Sequence, residues 1–298
     1  MRKIIVIVGP TASGKSAFAV EFARMVGGEI ISADSRQVYT GLDIGTGKIT
    51  KREMKNIPHH LLDIASPKRM ITAHDFAIHA RKAINEIVAR GKVPIVVGGT
   101  GFYIDALVGR ISLSAVPMDK KLRARLLKKT PKQLFALLTQ RDPKRAASIA
   151  ERNECNNKHR LIRALEITYG TLASYMKPPE YRVLWIGIKP DMQGLKKKIR
   201  ERLVTRIKKG MFAEAKRLQK NGLSYIRMNE LGLEYRYLAL YLQGKISKEE
   251  LVEQLSAKIW QYARRQVIYW KRNKDIQWDS LASLNKKKAA MVRDFLER

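Results

Sequence analysis

The stretch Ile4-Ile5-Val6-Ile7-Val8-Gly9-Pro10-Thr11-Ala12-Ser13-Gly14-Lys15-Ser16 decides the architecture: a β-branched run, a turn bounded by glycines, then the amphipathic residues 17–25. Read in order, these are a strand, a loop and a helix. The spacing G-x-x-x-x-G-K-[ST] has a physical reason. Gly9 and Gly14 let the backbone curl until the N–H groups of residues such as Thr11, Ala12 and Ser13 point inward, and the following helix adds the positive end of its dipole. Lys15 supplies a mobile point charge for terminal phosphates, and the Ser16 hydroxyl can hold a magnesium ion. The loop predicts a phosphorylated ligand and leaves its identity open.

Working outward, short apolar runs alternate with helical patterns through the first hundred residues. After the first helix comes Glu29-Ile30-Ile31-Ser32-Ala33, a second strand ending at Asp34. Thr72 and Asp75 have capping-box spacing, and Phe76, Ala80, Ala83, Ile84, Ile87 and Val88 recur at helical spacing up to Gly91. Val93-Pro94-Ile95-Val96-Val97 then runs into Gly98-Gly99-Thr100-Gly101. Alternation of this kind reads as a parallel α/β sheet. Ligands of such sheets bind beyond the carboxyl ends of the strands, so the loop, Asp34 and Thr100 should meet in one crevice.

Beyond about residue 113 the strand signal disappears, and residues 114–179 read as a helical insertion into a core formed by 1–113 and 180–298. Tyr181 to Ile188 looks like a strand returning to the sheet, followed by a basic helix from Leu195 to Lys209 and further helices to about Arg272. In the segment from Gln261 to Arg272, Tyr262, Tyr269 and Trp270 interleave with Arg264, Arg265, Lys271 and Arg272. Periodicity leaves two readings open there: aromatics that stack on single-stranded RNA, or an amphipathic helix that buries them.

Charge narrows the partner. The 298 residues hold 59 Lys and Arg against 27 Asp and Glu, a formal net charge of +32, which favours a polyanion such as nucleic acid. The excess is uneven, with 16 basic and 9 acidic residues in 1–110 (net +7) and 43 and 18 in 111–298 (net +25). The partner surface is therefore expected mostly beyond the phosphate loop. Cys155 is the sole cysteine, which excludes a disulfide framework and a cysteine zinc site. No apolar run approaches the roughly 20 residues that span a bilayer. These features predict a cytoplasmic protein with no membrane partner; a monomer is the expected state.

An NTPase of the usual kind needs a strand ending in an acidic magnesium-holding residue. The candidate strand ends in Gly98-Gly99-Thr100 instead, which leaves Asp34 as the nearest reactive carboxylate. Placed at the end of the strand after the loop, Asp34 suits removal of a proton from an acceptor group, or capping of the turn beside Ser35 and Arg36.

Several motifs occur together in order: the Gly9 to Ser16 loop, Asp34-Ser35-Arg36-Gln37-Val38-Tyr39, Gly45-Thr46-Gly47-Lys48, Pro58-His59-His60-Leu61-Leu62-Asp63, Gly98-Gly99-Thr100-Gly101-Phe102-Tyr103 and Arg160-Leu161-Ile162-Arg163-Ala164-Leu165-Glu166. In this set the chain resembles the tRNA dimethylallyltransferases in their bacterial form, from about residue 3 to 278. The resemblance implies a P-loop NTPase-like parallel sheet flanked by helices, with a helical insertion domain. It also implies transfer of a dimethylallyl group from dimethylallyl diphosphate to the exocyclic amine of the adenosine just 3′ of the tRNA anticodon, with Mg2+ and release of diphosphate.

By the same resemblance Asp34, Thr100 and Lys15 are catalytic, and Gly9, Thr11 to Ser16 hold the diphosphate, with Ser16 on the metal. The implied tRNA contacts are Asp34, Ser35, Arg36, Gln37, Thr100, Arg123, His159, Arg160, Leu161, Ile162, Arg163, Gly232, Tyr235, Arg236, Arg264, Arg265 and Gln266. The chain departs from the family pattern at Gly47 and Ile49, at Asn157, at Ile259-Trp260 and at Ile268-Tyr269. A small-molecule kinase with Asp34 activating an alcohol, and a non-catalytic RNA-binding protein, are the competing classes.

Overall fold

The computed structural model describes residues 2–111, 114, 116, 118–170 and 181–297. The chain divides into two compact units, Met1–Arg110 with Pro179–Arg298, and Ile111–Pro178. The boundaries read from composition lay at 113/114 and 179/180.

The larger unit is built on six parallel strands: β1 (Arg2–Val8), β2 (Gly28–Ala33), β3 (His59–His60), β4 (Val93–Gly98), β5 (Tyr181–Ile188) and β6 (Gln277–Asp279), in the order β3-β2-β4-β1-β5-β6. Ile4 to Val8 of β1 are buried on both faces of the sheet, which is why they read as a continuous apolar run and not as an alternation. One face carries Phe18, Phe22 and Ile186, closed by Leu284, Val292 and Phe295 of the helix Leu281–Glu297. Lys286 and Lys287 of that last helix face solvent, as its lysine run suggests. A second core gathers Val38, Tyr39 and Leu42 against Leu195, Ile199, Leu231, Leu238 and Leu255 of the helices beyond β5.

The helix Ala73–Ala89 starts where the sequence places it, with both bonds of the Thr72/Asp75 capping box formed. β3 and β6 are absent from the sequence reading because two- and three-residue strands carry no period to detect.

The smaller unit has four helices, Lys120–Leu127, Pro131–Arg141, Pro143–Glu151 and Lys158–Tyr169. Its own core joins Leu122, Leu126, Leu134, Leu138, Ile149, Leu161 and Leu165. Pro131 and Pro143 sit in the first turn of their helices, where a missing N–H costs nothing. No helix among the described residues is long and apolar enough to cross a membrane.

Candidate active site at the carboxyl edge of the sheet

Strand register brings the expected residues together. In β4, Gly98 lies level with Val8 of β1 on one side and with Ala33 of β2 on the other. The next residue on each strand is therefore Gly9 of the phosphate loop, Gly99 before Thr100, and Asp34. All three chains leave the sheet at the same height. Ile30, Ser32 and Asp34, alternate residues of β2 and its end, line the pocket above this edge.

The phosphate loop has the expected form. Gly14 stands at φ 87° and caps the helix Lys15–Val26, and Ala12 takes φ 63°, a left-handed conformation that an alanine adopts only under constraint. The Lys15 ammonium donates to Pro10 O at 3.2 Å. Burial pulls its pKa down to about 8, against an opposing pull from Asp34 and with a further push from Arg202. A buried cation depressed in this way favours an anion that restores its charge. The Ser13 hydroxyl is buried with no hydrogen-bond partner among the described residues.

Among the described residues no cluster of three or more His, Cys, Asp or Glu could hold a metal by itself. Ser16, exposed at the loop's end and lining the pocket, fits magnesium that keeps most of its coordination from phosphate oxygens and water.

Asp34 is held by one oxygen. Its Oδ1 accepts from Arg36 N at 2.8 Å and Gln37 N at 3.3 Å, while Oδ2 has no hydrogen-bond partner among the described residues. Both readings of this residue are thus compatible, since one oxygen fixes the turn and the other is left for chemistry. The Thr100 hydroxyl accepts from Ser35 N at 3.2 Å, and the Tyr262 phenol stands beside it. Burial pushes that phenol up to about 12, so it stays protonated. Gln37 donates to Gly47 O at 3.5 Å across the pocket.

Arg202, on the helix Met192–Lys208, lines the pocket and has no ion pair or hydrogen bond among the described residues. Burial and the neighbouring Arg206 hold its pKa below the usual guanidinium range. Sequence reasoning missed it because it is one of eight cations in Leu195 to Lys209, with nothing local to mark it. Thr46, Gly47 and Ile49 form a wall of the same pocket, and Ala19, Ile30, Ile49 and Val97 give it an apolar side.

Several of the expected tRNA-contact residues have partners within the protein. Leu161 and Ile162 are buried in the core of the smaller unit, so their side chains hold that unit together. Arg123 grips the buried Glu166 with two bonds of 2.9 and 2.7 Å, and Arg163 bonds Glu166 and Val116 O. Arg160 pairs with Glu154, whereas His159 is exposed. Tyr235 is buried with its hydroxyl on Glu214 at 2.8 Å, and Gln266 is buried beside the phosphate loop. Gly232 marks the break between two helices, close to the Arg36 guanidinium.

Arg236, Arg264 and Arg265 are exposed. Of the interleaved aromatics, Trp270 is fully buried, and Tyr269 bonds Asp105 at 2.6 Å beneath the Arg272 guanidinium. The amphipathic-helix reading therefore holds for Trp270 and Tyr269, with the arginines left outward.

The family model described as IPP transferase matches residues 37–274. The tRNA dimethylallyltransferase 2 of Treponema denticola is 43% identical over 276 residues, covering 90% of this chain and 91% of that protein. Among solved structures, the full-length tRNA isopentenylpyrophosphate transferase of Bacillus halodurans superposes with TM-score 0.75 at 32% identity, covering 100% of this chain and 98% of that one. A tRNA isopentenylpyrophosphate transferase of Staphylococcus epidermidis gives TM-score 0.72 at 34% identity, with both chains covered in full. The fold is the P-loop NTPase-like one of these neighbours. With most of its length matched and relatives this similar, the chain belongs to the IPP transferase family.

Proposed function

We propose that this protein transfers a dimethylallyl group from dimethylallyl diphosphate to the exocyclic N6 amine of the adenosine 3′-adjacent to the tRNA anticodon, releasing diphosphate. The observation that carries the reading is one pocket with two characters. Its cationic wall holds Lys15 and Arg202 beside the phosphate loop, its apolar side holds Ile30, Ile49 and Val97, and Asp34 stands at its rim. A phosphoester of a small apolar group matches both.

In this reading the loop amides, Lys15 and Arg202 bind the diphosphate and hold it as negative charge grows on departure. Magnesium held by Ser16 and the phosphate oxygens would add to that neutralisation. The carbon–oxygen bond to diphosphate breaks as the carbon–nitrogen bond to N6 forms, and the N6 proton passes to Asp34 Oδ2. Thr100 steadies the Ser35 turn beside that oxygen. The adenosine has to leave its stack to reach the pocket, at a cost of a few kcal/mol that contacts to the RNA offset. Arg236, Arg264 and Arg265 are the exposed cations suited to the phosphates. A cytoplasmic monomer accommodates this activity.

The test is transfer of labelled dimethylallyl diphosphate onto tRNA with consecutive adenosines in its anticodon loop, with ATP as competitor. Label on the adenosine amine, undisturbed by ATP, is the expected result. No transfer to any tRNA, or displacement by low ATP concentrations, overturns it.

A further inference from the structure

Gln266 lies on the helix Lys248–Lys271 and is only 6% exposed. Its Oε1 accepts from Thr11 N in the phosphate loop at 2.8 Å, and its Nε2 donates to Gly99 O, next to Thr100, at 3.0 Å. Both ends of one side-chain amide are spent across two of the three strand ends that build the site. A β-carbon on Gly99 would lie 2.1 Å from Nε2, so glycine is needed there for the contact to exist. On the same helix, Arg264 and Arg265 immediately before Gln266 are exposed. A single helix thus turns cations to solvent and an amide to the loop.

We propose that Gln266 is a positioning residue that pre-sets the phosphate loop for diphosphate, a role that deepens the prenyl-transfer reading and rests on it. Thr11 begins the strained part of the loop, since Ala12 follows at φ 63°. Anchoring Thr11 N from outside the loop fixes the direction of the amides that follow. Those amides then need no reorganisation when the anion arrives, which is where preorganised donors gain their advantage. The bond from Nε2 to Gly99 O ties this setting to the strand end carrying Thr100, so the diphosphate cradle and the acceptor side keep a fixed relation.

Gln266→Met keeps the length and burial of the side chain and removes both hydrogen bonds. Gln266→Asn is shorter by one methylene and can reach one partner at most. The readouts are binding of inorganic diphosphate by calorimetry, KM for dimethylallyl diphosphate, kcat, and the Kd of an unmodified anticodon stem-loop RNA. Loss of one or two buried bonds is expected to weaken diphosphate binding and raise that KM by about tenfold, with kcat and RNA Kd changed by less than about threefold. Gln266→Asn shifts the same two quantities by less, and it decides the matter if Gln266→Met fails to fold.

Unchanged diphosphate affinity in a folded variant overturns the proposal, as does weakened RNA binding with diphosphate binding intact, which would assign the side chain to RNA. Wild-type protein that binds diphosphate, loses it on substitution and yet transfers nothing to tRNA would overturn the prenyl-transfer reading while leaving the loop-setting role in place.

Discussion

In the proposed reaction Asp34 divides its carboxylate between fixing the turn through Oδ1 and taking the amine proton on Oδ2, and the division makes the residue testable. Asn at this position keeps an oxygen for the Arg36 and Gln37 amides, so the turn survives while the proton acceptor is lost. Asp34→Asn is expected to lower the transfer rate by about 10²–10⁴-fold with tRNA affinity retained, read from single-turnover rates beside a filter-binding curve. Lys15 makes a prediction in pH. Its pKa falls from 10.5 in the unfolded chain to about 8 in the fold, so between those values the unfolded state binds more protons. Stability of the ligand-free protein should therefore rise with pH across that window, and Lys15→Met should abolish the rise in thermal melts. Diphosphate affinity should move the opposite way. It should fall as pH passes 8 and the ammonium is lost, with proton uptake on binding near pH 8 seen by calorimetry in two buffers.

At the scale of elements, the pocket wall Thr46–Gly47 depends on a carboxylate far away in sequence. Glu214, 4% exposed on the helix Met211–Lys220, accepts from the backbone N–H groups of Asp43, Ile44 and Gly45 and from the Tyr235 hydroxyl. Glu214→Ala strands three amides, each costing about 1–3 kcal/mol when buried without a partner. A drop in melting temperature of roughly 5–10 °C is expected, with weaker diphosphate binding as the wall loosens; an unchanged melt would remove this account.

None of this support was legible in the sequence, because a Glu inside an amphipathic helix looks like any solvated charge. The same limit hid Arg202 and the bonds of Gln266 to Thr11 N and Gly99 O, since both arise only when helices after residue 190 fold back onto the loop. What could be read was local: the strand, turn and helix from Ile4 onward, Asp34 and Thr100 at strand ends, and the Thr72 capping box. Those features depend on neighbours within a few residues, where spacing and side-chain type are sufficient.

At the scale of the whole molecule, a net charge of +32 sets association with RNA more than it sets the fold. Arg264 and Arg265 stand exposed without ion pairs among the described residues. Arg264→Ala combined with Arg265→Ala should weaken tRNA binding across sequences and reduce the slope of log K against log salt by about 1 to 2, with little effect on inorganic diphosphate. An unaltered slope would place the RNA elsewhere. The order of the strands adds one more consequence. β4 separates β1 from β2, and neighbouring strands lie about 4.8 Å apart, so the loop and Asp34 emerge about 10 Å from each other. A leaving oxygen, an allylic carbon, an amine and a base in line need three gaps of about 3 Å each. For the proposed reaction the sheet therefore acts as a ruler: its strand spacing fixes the span from Asp34 to the phosphate loop, and side-chain changes can alter what fills the span but not its length.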